Sequence, residues 1–77
     1  MRVRLFAAAA EVVGEQQLEL APPPTAGGLR EVLSARGAEA PRVIARCALL
    51  RDGKRLENDA VLAAGDLVDV LPPFAGG

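Results

Sequence analysis

The residues best suited to chemistry in this sequence are the last eight, Val-Leu-Pro-Pro-Phe-Ala-Gly-Gly at positions 70–77. Proline has no backbone N–H and restricts φ, so Pro72 and Pro73 end a strand and hold the departing chain extended. Gly76 and Gly77 have no Cβ, which makes this segment thin enough to enter a narrow channel. We therefore expect a slender, flexible tail that presents the α-carboxylate of Gly77.

The other residue types exclude most kinds of self-contained active site. The sequence has no His, Tyr or Trp and a single Cys. Nucleophilic catalysis needs a nucleophile with a base beside it, zinc sites need clustered Cys and His, and no glycine-rich phosphate loop is present. We expect no bound metal or cofactor. An ionised carboxylate is a poor acyl donor at neutral pH, so chemistry at Gly77 requires a second protein to activate it.

Length and composition predict a single domain over residues 1–77, with residues 72–77 as its tail. The 77 residues are near the lower limit for a self-supporting core, and an apolar fraction of 51% is sufficient to form one. No apolar run approaches the roughly 20 residues of a membrane span, and no signal-peptide pattern begins the sequence. One cysteine fits a reducing cytosol. We expect a cytoplasmic protein without a membrane partner.

The charge is balanced overall and uneven along the sequence. A net charge of −1 gives no indication of nucleic-acid binding. Residues 30–55 contain seven basic and three acidic side chains, whereas residues 56–77 contain four acidic side chains and no basic one. An acidic C-terminal end suits a basic partner surface, and ordinary surface charge explains the same pattern.

Hydrophobic patterns predict four main strands. These strands cover residues 2–6, 16–20, 47–50 and 67–71, and Asp52-Gly53 is the turn of a hairpin that continues through Arg55 and Leu56. In the first strand Val3 and Leu5 face the core, and Phe6 falls on the outward face. In the last strand Val68 and Val70 share one face, while Leu67, Asp69 and Leu71 share the other.

Helical signals lie between these strands. Residues 7–13 predict a short helix that stops at Gly14. Thr25 is the predicted N-cap of the main helix, which ends at Gly37 and turns an apolar stripe toward the core. The members of that stripe are Leu29, Val32 and Leu33. Residues 38–46 fit either a short helix or a loop.

The order of these elements predicts an α+β fold. One helix cannot bury its apolar stripe alone, and a mixed sheet of four to five strands packed on it is the simplest two-layer solution. We expect the first and last strands to be central, parallel neighbours, which is possible because the main helix lies between them in sequence. This is a β-grasp, ubiquitin-like arrangement.

With this order and the Leu-Pro-Pro-Phe-Ala-Gly-Gly ending together, the chain resembles the small subunit of molybdopterin synthase, the MoaD family, over essentially its whole length. The most specific matches are Val3-Arg4-Leu5-Phe6-Ala7, Glu11-Val12-Val13-Gly14, and residues 66–77. Asp52-Gly53 stands where the family commonly has Asn-Gly, which leaves the turn type intact.

The resemblance implies a ubiquitin-like sulfur carrier without an active site of its own. An adenylating enzyme related to ubiquitin-activating enzymes would adenylate Gly77 with ATP, and a sulfur donor protein would convert it to a thiocarboxylate. The large subunit of molybdopterin synthase would bind the tail and use the sulfur to build the molybdopterin dithiolene. The resemblance also implies two contact regions for partners. One is a patch formed by Phe6 and Leu71. The other is the tail, formed by Pro72, Pro73, Phe74, Ala75 and Gly76.

Other functions fit the same tail. They are a sulfur carrier for tRNA thiolation or thiazole synthesis, a ubiquitin-like protein modifier, and a β-grasp interaction domain whose tail is incidental. Chains of a modifier need acceptor lysines, and Lys54 is the only lysine. We predict that Lys54 is a solvated hairpin residue and that Cys47 is a small core hydrophobe at the start of a strand.

Overall fold

The computed structural model describes residues 1–73. This part of the chain forms five strands and three helices, in the order β1 (Arg2–Leu5), α1 (Ala8–Val13), β2 (Gln17–Glu19), α2 (Ala26–Ser34), α3 (Ala40–Ile44), β3 (Ala48–Arg51), β4 (Lys54–Arg55) and β5 (Leu67–Leu71). None of the helices in residues 1–73 is long and apolar enough to cross a membrane.

The strands form one mixed sheet in the order β2-β1-β5-β3-β4. The central pair, β1 and β5, is parallel, with Val3 opposite Val68 and Leu5 opposite Val70. The remaining pairs are antiparallel. The predicted α+β, β-grasp fold is confirmed, including the central parallel pair and the fifth strand.

The core lies between the sheet and the helices. Val3, Val68 and Val70 alternate with outward-facing residues and are fully buried under Leu29 and Leu33 of α2 and their neighbours. No polar or charged residue is buried in residues 1–73. Burial of an alternating strand face against an apolar helix stripe therefore stabilises this two-layer fold.

Helix α2 begins as predicted but differs in its stripe. The Thr25 hydroxyl accepts a hydrogen bond from the Gly28 N–H at 3.2 Å, which confirms the N-cap. Leu29 and Leu33 are fully buried, whereas Val32 is 38% exposed, so its assignment to the core stripe was wrong. At 100° per residue, the buried side is centred between Ala26 and Leu33, and Val32 lies beyond its edge.

The end of α2 was also misassigned. The helix ends at Ser34, not at Gly37. Gly37 lies where the backbone passes the Val12 carbonyl of α1, and a Cβ at this position would clash with that oxygen. Glycine is needed here for close approach between two backbones rather than to stop the helix.

The other local predictions are confirmed. Helix α1 ends at Gly14, which has φ of 88° and donates its N–H to the Ala10 carbonyl at 2.8 Å. Asp52 and Gly53 have φ of 54° and 75°, the pattern of a type I′ hairpin turn. The ambiguous segment 38–46 contains the short helix α3.

Candidate functional site: the outer sheet face and the start of the tail

The sheet face opposite the helices carries an apolar patch at one end. The Phe6 N–H donates to the Val70 carbonyl at 3.2 Å, which extends the β1–β5 ladder by one residue and places Phe6 beside Leu71. Leu71 pairs in turn with Ala48 of β3. Phe6 is 40% exposed, so its predicted outward orientation is confirmed. We call Phe6, Leu71, Ala48 and Leu50 the outer apolar patch.

The tail begins next to this patch. Strand β5 ends at Leu71, and Pro72 and Pro73 follow without sheet pairing, as predicted. They border an open groove that we call the tail-root groove, lined by Arg46, Ala48, Leu50, Arg55, Leu71, Pro72 and Pro73. The predicted tail residues Phe74, Ala75, Gly76 and Gly77 lie outside the described residues.

Ion pairs neutralise the acidic groups of the last strand and the turn before it. Asp69 accepts two hydrogen bonds from Arg4, at 2.7 and 2.9 Å. Asp66 accepts from the Ala63 N–H at 2.9 Å and from Arg51 at 2.7 Å, and these two bonds hold the pKa of Asp66 below its ordinary value. The groove is instead bordered by Arg46 and Arg55. The sequence left open whether residues 56–77 form an acidic docking surface or carry ordinary surface charge, and these contacts favour ordinary surface charge around the start of the tail.

A strained turn at Ala7 determines the direction of the chain after Phe6. Ala7 has φ of 51° and ψ of −125°, and the Phe6 carbonyl accepts from the Ala9 N–H at 3.1 Å. These values match the first central position of a type II′ turn, which glycine normally occupies. The chain thus reverses immediately after Phe6 and leaves the ring exposed. The Arg4 guanidinium lies 6.0 Å from the ring centroid, within cation–π range.

Comparison with known proteins assigns the family. A model described as the ThiS family matches residues 3–77. The chain belongs to the ThiS family. Comparison with curated protein sequences gives no match.

Solved structures resemble this ThiS-family chain over nearly its full length. SAMP1 from Haloferax volcanii is 29% identical with a TM-score of 0.76, covering 100% of this chain and 98% of that chain. A putative molybdopterin converting factor subunit 1 from Pyrococcus furiosus is 23% identical with a TM-score of 0.81, and the match covers 95% of both chains. A chain in a complex of molybdopterin-converting factor subunits 1 and 2 from Helicobacter pylori is 22% identical with a TM-score of 0.70, covering 99% of this chain and 96% of that chain.

These matches confirm the resemblance read from the sequence at the level of family and fold. The two molybdopterin converting factor relatives share less than 25% of their residues with this ThiS-family chain, so they show the fold alone. The contact functions of Phe6, Leu71 and the tail stay predictions.

An arginine that the sequence analysis missed supports the region beside the groove. Arg30 of α2 donates through Nη1 to the carbonyls of Ile44 and Cys47, both at 2.9 Å, and through Nε to the Asn58 side chain at 3.0 Å. These bonds fix the short connection from α3 to β3, which carries Arg46. In the sequence, only the position of Arg30 next to the buried stripe of α2 could have indicated that its side chain supports this connection.

The two other reactive side chains of this ThiS-family chain behave as predicted. Cys47 is buried and its thiol donates to the Val43 carbonyl at 3.3 Å. Burial raises the pKa of the Cys47 thiol, and the Arg30 guanidinium opposes part of that rise. A buried thiol with a raised pKa is a weak nucleophile. Lys54 is exposed beside the hairpin turn.

Proposed function

We propose that this protein is a sulfur carrier in which the Gly77 carboxylate is the reacting group. An adenylating enzyme related to ubiquitin-activating enzymes uses ATP to form the acyl-adenylate, and a sulfur donor protein then supplies sulfur to give a thiocarboxylate. The observation that carries the proposal is the family match through residue 77, combined with a Pro-Pro exit from the central strand β5 beside the outer apolar patch.

The chemistry needs little from the carrier itself. The Gly77 carboxylate attacks the α-phosphorus of ATP and pyrophosphate leaves. Sulfur at the sulfide level then attacks the activated carbonyl carbon, AMP leaves, and a thiocarboxylate remains. This group is largely anionic at neutral pH, and its sulfur anion is the nucleophile in the next transfer. Among residues 1–73 the single thiol, Cys47, is buried, which agrees with a carrier whose reactive atom lies at the tail.

We propose that the sulfur is transferred to a pterin precursor and becomes part of the molybdopterin dithiolene, in the cytoplasm and within a complex with a molybdopterin synthase large subunit. The H. pylori relative is a subunit of such a two-subunit assembly, and its fold is shared by this chain. In this proposal Phe6 and Leu71 contact the partner, and Pro72, Pro73, Phe74, Ala75 and Gly76 enter its channel.

Intact-mass spectrometry tests the loading step. The full chain is incubated with the adenylating enzyme, ATP and the sulfur donor. The expected product is heavier by one oxygen-to-sulfur exchange at the C-terminus. A chain lacking Gly76 and Gly77 is the control and gains no mass. Recovery of only the carboxylate form from the complete mixture contradicts the proposal.

The acceptor needs a separate measurement. Thiocarboxylated protein is mixed with the large subunit and its pterin substrate, and dithiolene formation is followed. Product formation that depends on Gly76-Gly77 supports molybdopterin synthesis. Loading without dithiolene formation, accompanied by sulfur transfer to tRNA or to a thiazole precursor, assigns the carrier to one of those pathways instead.

A second candidate, a protein modifier, is favoured by the 29% identity to SAMP1, whose structures include one described as small archaeal modifier protein 1. In that case the activated Gly77 carbonyl forms an isopeptide bond with a lysine of another protein. Tryptic peptide mass spectrometry of cell extracts detects such bonds as the C-terminal peptide 56–77 attached to target lysines, because Arg55 is the last Lys or Arg of the sequence. Their absence from cells that express the tagged protein excludes this candidate.

A further inference from the structure

Three of the seven basic residues of segment 30–55 bind groups inside the described structure. Arg30 binds backbone carbonyls, Arg42 pairs with Glu39, and Arg51 pairs with Asp66. Arg46 and Arg55 are exposed and form no side-chain hydrogen bond or ion pair with any other residue of 1–73. These two guanidinium groups are therefore available to a partner without breaking a contact inside the described structure.

Both guanidinium groups border the tail-root groove. Arg46 directly precedes Cys47 and β3, and Arg55 of β4 pairs with Leu50 of β3. The side chains between them are apolar, and no acidic residue lines this groove. The Asp69 carboxylate, on the strand residue opposite Leu50, is held by Arg4. The groove thus has an apolar floor and a cationic rim immediately beside Pro72 and Pro73.

We propose that Arg46 and Arg55 dock the carrier on acidic side chains beside the tail channel of its adenylating enzyme. This inference rests on the proposed function and adds the chemistry of the partner surface. An arginine fork binds carboxylate in two parallel hydrogen bonds. An apolar floor with a charged rim is the usual anatomy of a protein–protein interface. The tail and the arginines then engage the same partner at the same time.

The charge distribution favours a protein partner over nucleic acid. The chain has a net charge of −1, whereas nucleic-acid binding relies on many phosphate contacts from an extended basic surface. Two guanidinium groups around the apolar side chains of Ala48, Leu50 and Leu71 instead complement a protein surface on which a few carboxylates surround apolar side chains.

The backbone on both sides of the groove is held in place before binding. Arg30 clamps the carbonyls of Ile44 and Cys47 on either side of Arg46. Arg55 is held by the antiparallel pairing of β4 with β3. Such preorganisation reduces the entropy lost on association, so the arginines contribute to affinity as well as to orientation.

Steady-state kinetics of adenylation tests this inference. Pyrophosphate release by the adenylating enzyme is measured against the concentration of the full-length carrier. We expect Arg46→Glu with Arg55→Glu to raise the KM for the carrier about tenfold or more, because reversal places like charges opposite each other. The kcat stays near wild type, since neither residue touches the reacting carboxylate. Arg36→Glu is the matched control, because Arg36 is exposed and lies outside the groove.

Ionic strength provides a second readout. Raising NaCl from about 50 to about 300 mM raises the KM of the wild-type carrier and of the Arg36→Glu control, because salt screens the charge attraction. In the double variant the KM instead falls over the same range, because salt then screens a repulsion between like charges. Circular dichroism of each variant verifies that the fold is retained.

The outcomes separate this inference from the proposed function. An unchanged KM in the double variant, with the wild-type chain adenylated normally, overturns the docking surface and leaves the carrier function in place. Absence of adenylation of the wild-type chain overturns both. Wild-type binding to a single-stranded oligonucleotide that the double variant loses, with equal KM for adenylation, assigns the groove to nucleic acid and also overturns this inference.

Discussion

Phe6 and Leu71 lie side by side on the outer face of the sheet, because the Phe6 N–H continues the parallel ladder to the Val70 carbonyl at 3.2 Å. The two residues are far apart in sequence and meet only through the pairing of β1 with β5. Since Leu71 is the last strand residue before Pro72, this pair marks the surface that a partner meets when it takes the tail.

We expect Phe6→Ala and Leu71→Ala each to weaken adenylation of the carrier while the fold remains intact. Truncation of an exposed apolar anchor in an interface costs about 1–2 kcal/mol of binding, or roughly a fivefold to thirtyfold rise in KM. Leu67→Ala is the matched control, since Leu67 is also 40% exposed on the same strand but at the opposite end. Equal KM values for all three variants and wild type would show that the patch is not part of the interface with the adenylating enzyme.

Ala7→Gly is expected to stabilise the protein. Ala7 occupies a positive-φ turn position with φ of 51°, and relief of this strain outweighs the extra entropy that glycine gains in the unfolded chain. The net increase in the free energy of unfolding is about 1 kcal/mol, measured by urea denaturation. Ala10→Gly, inside α1 and outside the turn, is the control and should lower stability because glycine is a poor helix former. A destabilised Ala7→Gly protein contradicts the assigned turn.

Gly37→Ala is expected to destabilise the protein by about 1–3 kcal/mol. Its added methyl would meet the Val12 carbonyl of α1, a backbone atom that cannot move without shifting the helix. Gly65→Ala is the matched control, since a Cβ there meets nothing within 4 Å and the backbone has no positive φ. Thermal unfolding of the two variants should separate them clearly, and equal Tm values would show that α1 and Gly37 are not in close contact.

Acid should weaken the fold through Asp66. Two donors, the Ala63 N–H and Arg51, hold the folded-state pKa of Asp66 below its ordinary value of 3.8. The native carboxylate therefore contributes stability that is complete above this ordinary value and is lost as the pH falls through the lower, folded-state pKa. Urea denaturation at several pH values below about 5 checks this.

Asp66→Asn is the matched variant for the acid experiment. It removes the titrating group and is expected to show a shallower loss of stability than wild type over the same acidic range. Asp59→Asn is the control, because Asp59 is exposed and accepts no side-chain hydrogen bond within residues 1–73. A wild-type slope that persists in Asp66→Asn would assign the acid sensitivity to other carboxylates.

Local sequence signals were sufficient for most of the elements. Alternation in residues 2–6 and 67–71 is a property of strands with one buried face, and it correctly placed Val3, Val70 and Phe6. The Thr25 cap and the Asp52-Gly53 turn follow from side-chain and backbone chemistry within four residues. The prediction failed where contacts between distant elements decide, as for Val32, whose exposure depends on which side of α2 the sheet covers.

By itself, the sequence determined the β-grasp class, the outward face of the last strand and the Pro-Pro exit toward Gly77, because these depend on periodicity and on the covalent limits of proline and glycine. Only the tertiary structure decided that Gly37 serves a backbone contact, that Arg30 braces the α3–β3 connection, and that the acidic groups of residues 66–69 are paired while Arg46 and Arg55 border the groove. The physical reason is range. Ion pairs and close backbone contacts form between residues that are distant in sequence and adjacent only after folding. The spacing of these residues along the chain therefore does not indicate which of them will be in contact.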